Sequence, residues 1–198
     1  MHFTNHSIKL NKTHGITPQS TCAVIGSSGI LLDSGCGEEI DAHDFVMRTN
    51  LPDLRGYEKD VGVGENQVAA ISSFRLIGPA WQKNKITMSV TTEELKITFA
   101  TPTLFAKKNK ITMFWRSRIP SSGLILLTSA VTFCDKIFLY GFYPFHIDRY
   151  NNSIKYHYYD NIEFHFTTNV HKMPKEYIRL TELHKQGAVR LVTDKCMP

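Results

Sequence analysis

The chain contains no run of about 18 apolar residues, so none of its 198 residues reads as a membrane-spanning helix. It also lacks internal repeats and low-complexity tracts, which removes collagen-like, coiled-coil and disordered architectures. Met1 to Thr21 has neither the basic nor the apolar region of a signal peptide. There is no CxxC pair among the four cysteines, so their spacing fits neither a zinc site nor a thioredoxin-like motif. No Gly-Lys-Ser/Thr follows a glycine turn, which excludes a P-loop. Asp-x-Asp is missing too, and with it the carboxylate pair that commonly holds a divalent metal on a sugar diphosphate.

Apolar residues make up 42% and charged residues 21%, enough for one globular domain with a real core. Lys and Arg exceed Asp and Glu by 23 − 18 = 5, which favours an anionic partner. Apart from Lys107, Lys108 and Lys110 the basic residues are scattered, and no nucleic-acid motif occurs, so a small anionic ligand fits better than nucleic acid. Cys22, Cys36, Cys134 and Cys196 are far apart: they can form two long-range disulfides or remain four buried thiols. N-x-S/T sequons at Asn5, Asn11 and Asn151 are candidate glycosylation sites and point weakly to an oxidising compartment.

Thr21 to Ile25 is a β-rich run ending in Gly26-Ser27-Ser28-Gly29, after which Ile30, Leu31 and Leu32 predict the start of a helix. Asp44 to Asn50 alternates as a second strand. Between Ile71 and Arg118 the reading is mixed strand and loop, with β-like pieces at Ile86 to Val90, Ile97 to Ala100 and Ile111 to Trp115. Leu124 to Phe133 has helical spacing with Ser121 as its N-cap, and Lys136 to Gly141 is a compact strand. A last helix follows Pro174, with Tyr177, Leu180, Leu183 and His184 on one face and Gly187 as its stop; Val189 to Thr193 is a final strand. This alternation makes the fold class α/β.

Two hydroxyl-and-glycine turns, Gly26 to Gly29 and Pro120 to Gly123, each sit where a helix begins. They are either two ordinary N-caps or two sets of backbone N–H groups converging on one phosphate. Tyr156-His157-Tyr158-Tyr159-Asp160 puts one imidazole among three aromatic rings with an acid beside it. His171 stands just before a proline-started helix, where a neutral imidazole would serve as a general base. His146, His165 and His184 are scattered and read as structural or surface residues.

Together these segments resemble the animal sialyltransferases, glycosyltransferase family 29. Cys22 to Gly62 is similar to their large sialyl motif, Pro120 to Phe145 to the small motif, His157 to Asp160 (HYYD) to the third motif, and His171 with Glu176 to the very small His-x4-Glu motif. HYYD followed by HKMPKEY is most like the α2,8-sialyltransferases. The resemblance implies a single-domain variant glycosyltransferase-A fold with a Rossmann-like, mostly parallel sheet flanked by helices. It places a catalytic domain at 22–198 and a polar lead-in or stem remnant at 1–21.

The implied reaction is inverting transfer of sialic acid from CMP-sialic acid to a sialylated glycan acceptor on glycoprotein or glycolipid, without metal or other cofactor. A donor that leaves as a nucleoside monophosphate has a single phosphate, which helix N–H groups and a histidine can meet. By this resemblance Ser27 and Asn50 contact the nucleotide. Ser121, Ser122 and Gly123 meet ribose and phosphate, Tyr143, Pro144 and Phe145 pack the base, and Tyr156 lies beside the donor. His157 bonds the departing phosphate, His171 is the base, and Glu176 supports the site. The resemblance also implies the pairings Cys22 with Cys134 and Cys36 with Cys196, and a Golgi lumenal protein whose N-terminal membrane anchor is absent from this chain. The family usually has Asn where Ser27 stands, and its stretch between the large and small motifs is longer. These departures keep a second expectation open, a lumenal sialoside- or CMP-binding pseudoenzyme.

Overall fold

The computed structural model describes residues 18–50, 52–63, 68–71, 89–92, 95–99, 120–162, 164 and 172–196, with backbone only for the three short stretches between 68 and 99. Its elements in chain order are β1 (Gln19–Ile25), a 3-10 turn (Gly29–Leu31), α1 (Gly37–Asp41), β2 (Phe45–Thr49), α2 (Glu58–Val61), β3 (Val68–Ile71), β4 (Ser89–Thr92) and β5 (Leu95–Phe99). They are followed by α3 (Ser122–Ala130), β6 (Cys134–Tyr140), α4 (Met173–Lys185) and β7 (Arg190–Val192).

The seven strands form one sheet in the order β4-β5-β3-β2-β1-β6-β7. Every pairing is parallel except β4 with β5. β1 is central: the chain builds outward through β2 and β3 on one side, then returns to build β6 and β7 on the other. The strand order therefore reverses at the C-terminal end of β1, the place where open α/β sheets leave a crevice for a ligand.

Side-chain alternation along the strands divides the core in two. Cys22 and Val24 of β1, with Phe45 and Met47 of β2, face a cluster completed by α3 and by Leu180 of α4. Ala23 and Ile25, with Val46, face a second cluster containing Leu31, Ile40, Val61, Tyr140 and Tyr158. α3 is apolar nearly all round because it is buried along its length, from Gly123 to Ala130 with only Thr128 partly exposed.

The helix expected from Ile30 is not formed. A three-residue turn stands there, and the helix that follows begins only at Gly37. Leu32 is extended, Asp33 and Gly35 take positive φ of 58° and 65°, and the Asp60 carboxylate accepts from both their amides at 2.9 and 2.8 Å. Among the β-like pieces, β4 and β5 lie at Ser89–Thr92 and Leu95–Phe99 rather than at Ile86 to Val90 and Ile97 to Ala100; Ile111 to Trp115 lies outside the described residues. The last helix starts at Met173, just before Pro174, and Gly187 at φ 72° ends the turn after it. Leu180 is buried on its inner face with Tyr177 and Leu183 packed beside it, while His184 is exposed.

Both disulfides have the pairing implied by the resemblance: Cys22–Cys134 and Cys36–Cys196, with Cα separations of 6.0 and 4.9 Å. Cys134 opens β6, so the first bridge joins two neighbouring strands.

Candidate functional site

The sheet's switch point opens into a cavity of about 320 Å³. Its floor is backbone. Gly26 follows β1 and Gly141 follows β6, and the Gly26 amide donates to the Tyr140 carbonyl at 2.7 Å. A Cβ on Gly26 would overlap the Gly141 carbonyl, so a side chain there would force the two strand ends apart.

Along one wall stand Ser27, Ser28, Thr49 and Asn50. Ser27 Oγ and Thr49 Oγ1 are 3.0 Å apart, and Thr49 Oγ1 also reaches the Ile25 carbonyl. Ser28 Oγ donates to the Tyr143 carbonyl at 2.7 Å and accepts from the Ile30 amide, so this hydroxyl is fully engaged in tying the first turn to the segment after β6. Asn50 leaves β2 at φ 64°, and its Oδ1 is buried with no hydrogen-bond partner. A buried orphan acceptor next to a cavity is costly unless a ligand donates to it.

The opposite wall is the start of α3. Ser121 Oγ accepts from the Leu124 amide, and the Ser121 amide itself donates to Glu176 Oε1 at 3.1 Å. This is a capping box whose acid comes from another helix, and it explains why Glu176 is buried in α4 at 6% exposure. The first intrahelical bond is Ile125 N–H to the Ser121 carbonyl. Of the orphan donors at the helix start, the amides of Ser122 and Gly123 are thus the two that no described bond takes, and both residues line the cavity. Two free amides at the positive end of a nine-residue helix favour an anion there.

HYYD supplies the third side. The Tyr158 amide donates to the Ser27 carbonyl, fastening this segment to the first turn. Asp160 Oδ2 holds His157 Nδ1 at 2.7 Å, and Tyr159 stacks on the imidazole at 5.0 Å with the planes 15° apart. With Nδ1 engaged, Nε2 is the nitrogen left for a ligand: an acceptor in the neutral ring, a donor in the imidazolium. Burial pushes the phenols of Tyr143, Tyr156 and Tyr177 up, so these cavity rings stay neutral hydrogen-bonding groups.

Of the expected site residues, Ser27, Asn50, Ser121, Ser122, Gly123, Tyr143, Pro144, Tyr156, His157 and Glu176 line this one cavity. Phe145 does not. Its ring meets the edges of Tyr143 and Tyr177, at 5.3 and 5.2 Å, and so backs the rings that do. His171, Asn5 and Asn11 lie outside the described residues. Asn151 is exposed at φ 67° in a turn closed by Asp148. The sequence reading missed Thr49, Phe142 and Tyr177, ordinary strand, loop and helix residues whose only signal is adjacency to Asn50, Tyr143 and Glu176. Among the described residues no group of three or more His, Cys, Asp or Glu is placed to hold a metal ion, and no helix is long and apolar enough to cross a membrane.

The model of the family "Glycosyltransferase family 29 (sialyltransferase)" matches residues 3–73 and 68–188. The chain is 35% identical to the Bos taurus protein "Alpha-N-acetylneuraminide alpha-2,8-sialyltransferase" over 231 aligned positions, spanning 94% of this chain and 64% of that protein. Two crystal structures of a mammalian sialyltransferase, one in complex with Gal-beta-1-3GalNAc-ortho-nitrophenol, superpose with TM-scores of 0.60 and 0.59 at 24% and 23% identity. Each superposition covers 89% of this chain and 70% of the other, and carries the fold.

Proposed function

Because the chain belongs to glycosyltransferase family 29, the sialyltransferases, we propose that it transfers sialic acid from CMP-sialic acid to a sialylated glycan, forming an α2,8 linkage with inversion. The observation that carries this reading is the convergence of four separate stretches, around residues 27, 50, 122 and 157, on one cavity with two unused helix amides. In this reading residues 22–198 are the catalytic domain, working in the Golgi lumen.

The amides of Ser122 and Gly123 meet the single phosphate of the donor, and the orphan Oδ1 of Asn50 accepts from the nucleotide. Tyr143, Pro144 and Tyr156 enclose its rings. His157, oriented by Asp160, donates from Nε2 to the phosphate as the bond from the anomeric carbon to the phosphate oxygen breaks. His171 takes the proton from the acceptor hydroxyl while that oxygen attacks the opposite face of the same carbon. Its number places it two residues before Met173, which lines the cavity. Glu176 acts through Ser121: it holds the helix start in the position that presents the two amides.

CMP release from CMP-sialic acid, measured with and without a sialylated acceptor and in the presence of a chelator, tests this. Acceptor-dependent release is expected. CMP binding without any turnover would instead favour a donor-binding pseudoenzyme, a reading supported by Ser27, whose hydroxyl is engaged with Thr49 where the family usually offers an amide. His171→Ala is expected to lower turnover by about 100-fold or more with CMP binding nearly intact, and His157→Ala to weaken both. Near-normal turnover in His171→Ala would remove the base assignment.

A further inference from the structure

The cavity is chemically odd for an anionic donor: among the described residues that line it there is no Lys and no Arg, and its one carboxylate, Glu176, has the wrong sign. Among the described residues, one buried cation lies close to the wall in sequence. Arg48 precedes Thr49 and Asn50 on β2, within about 7 Å of chain from Asn50. Its side chain is 4% exposed, and Nε, Nη1 and Nη2 are all buried without a hydrogen-bond partner. Tyr158, whose neighbour His157 lines the cavity, is charge-coupled to Arg48, and its phenol is also buried without a partner.

Among the described residues the closest carboxylate oxygen, Asp41 Oδ1, stands 3.9 Å from Nη2, within ion-pair distance but too far for a hydrogen bond, and Asp41 Oδ2 accepts from the Val63 amide at 2.7 Å. Burial pulls the Arg48 pKa below the ordinary arginine range, yet guanidinium remains charged at neutral pH. A buried cation whose ion pair among the described residues is a single one at 3.9 Å, with no hydrogen bond, is expensive to keep, and its field is weakly screened.

We propose that Arg48, acting through space from behind β2, supplies the fixed positive charge that favours the phosphate-bearing donor in the cavity, with Asp41 setting how much of that charge reaches the site. This rests on the CMP-sialic acid reading above and adds a residue that touches neither sugar nor nucleotide. A purely structural role would treat charged and uncharged ligands alike, so the discriminating quantity is the ratio of CMP affinity to cytidine affinity.

Calorimetry on the whole protein with CMP and with cytidine measures it. Arg48→Met is expected to weaken CMP about ten-fold while leaving cytidine within about two-fold, and Arg48→Lys to keep the ratio near that of the unmutated protein. Asp41→Asn, which keeps the shape and the bond to Val63, is expected to move the ratio the other way, tightening CMP about three-fold. The proposal is overturned if folded Arg48→Met loses CMP and cytidine equally or loses neither. If that variant does not fold, unchanged CMP affinity in Asp41→Asn overturns it instead. Failure of the unmutated protein to bind CMP would be visible before any variant is made, and would remove the donor reading together with this inference.

Discussion

The turns at Gly26-Ser27-Ser28-Gly29 and Pro120-Ser121-Ser122-Gly123 share serine, serine, glycine and a following run of Ile and Leu, yet only the second starts a helix of any length. After Gly123 the chain continues Leu-Ile-Leu-Leu onto the sheet face formed by β1, β2 and β6, and nine residues coil without a break. After Gly29 it meets Lys155, whose carbonyl accepts the Gly29 amide, and four residues later, at Asp33, Asp60 draws the chain away. The hydroxyls differ accordingly. Ser121 caps its own helix and leaves two amides to the cavity, whereas Ser28 is used to hold the loop after β6. The first turn builds the wall, and the second presents donors. Similar local chemistry gave different structures because different neighbours were waiting for it.

The largest test concerns the two bridges, whose Cys22 and Cys36 flank the first turn. In the chain-entropy account, sequence separations of 112 and 160 residues make them nearly equal, so the paired variants Cys22→Ala with Cys134→Ala and Cys36→Ala with Cys196→Ala should each lose about 5 kcal/mol in urea unfolding. A loss confined to one pair would mean that native packing at that bridge, not loop length, decides. Next in size are the glycines. A Cβ at Gly29 meets Lys155 backbone atoms at 2.5 and 2.8 Å, which cannot step aside, and Gly29→Ala should cost about 3 kcal/mol. At Gly123 the same atom meets the Phe142 ring at 2.5 and 2.9 Å, so the obstacle lies in that ring and not in open space on the ligand's path. A ring can rotate. Gly123→Ala should cost only about 1 kcal/mol while weakening CMP, because the displaced Phe142 lines the cavity; thermal unfolding and calorimetry on the same two proteins separate the outcomes.

Smaller again are the serines: Ser28→Ala, which breaks two bonds, should lose about 2 kcal/mol and Ser121→Ala about 1 kcal/mol of stability, an order that chemical denaturation can reverse or uphold. The smallest effect concerns His43, buried behind β6 with Nε2 3.0 Å from the Tyr140 phenol oxygen. Burial lowers its pKa, although Glu39 and Asp44 pull the other way. Between that lowered value and the ordinary one near 6.5 the unfolded chain binds more protons than the folded one, so stability falls on acidification below about pH 6.5. The expected loss is under about 1 kcal/mol, and a His43→Gln variant with an unchanged pH profile between 7 and 5 would show that another group is responsible.

Alternating strand and helix patterns, the N-cap at Ser121, the stop at Gly187 and four ordered motifs are local or compositional facts, and they were legible without coordinates. Of the cavity, punctuation marked the two turns, Gly26 to Gly29 and Pro120 to Gly123, whereas Asn50, Tyr143 and Pro144 came from the resemblance to the family. The short turn at Gly29 was not legible, since Ile30 to Leu32 has nothing against a helix; what stops it is Lys155 and Asp60, 126 and 27 residues away in sequence from Gly29 and Asp33. Nor could Arg48 be told from any other polar residue in an alternating strand. Its burial depends on which face of the sheet receives Tyr158, a choice that α1, α2 and the HYYD segment make together. Sequence determined what each segment can form, because backbone preference and side-chain period act over a few residues. Tertiary structure alone decided which polar groups were left without partners, because satisfaction of a buried donor or charge depends on atoms that the rest of the chain brings to it.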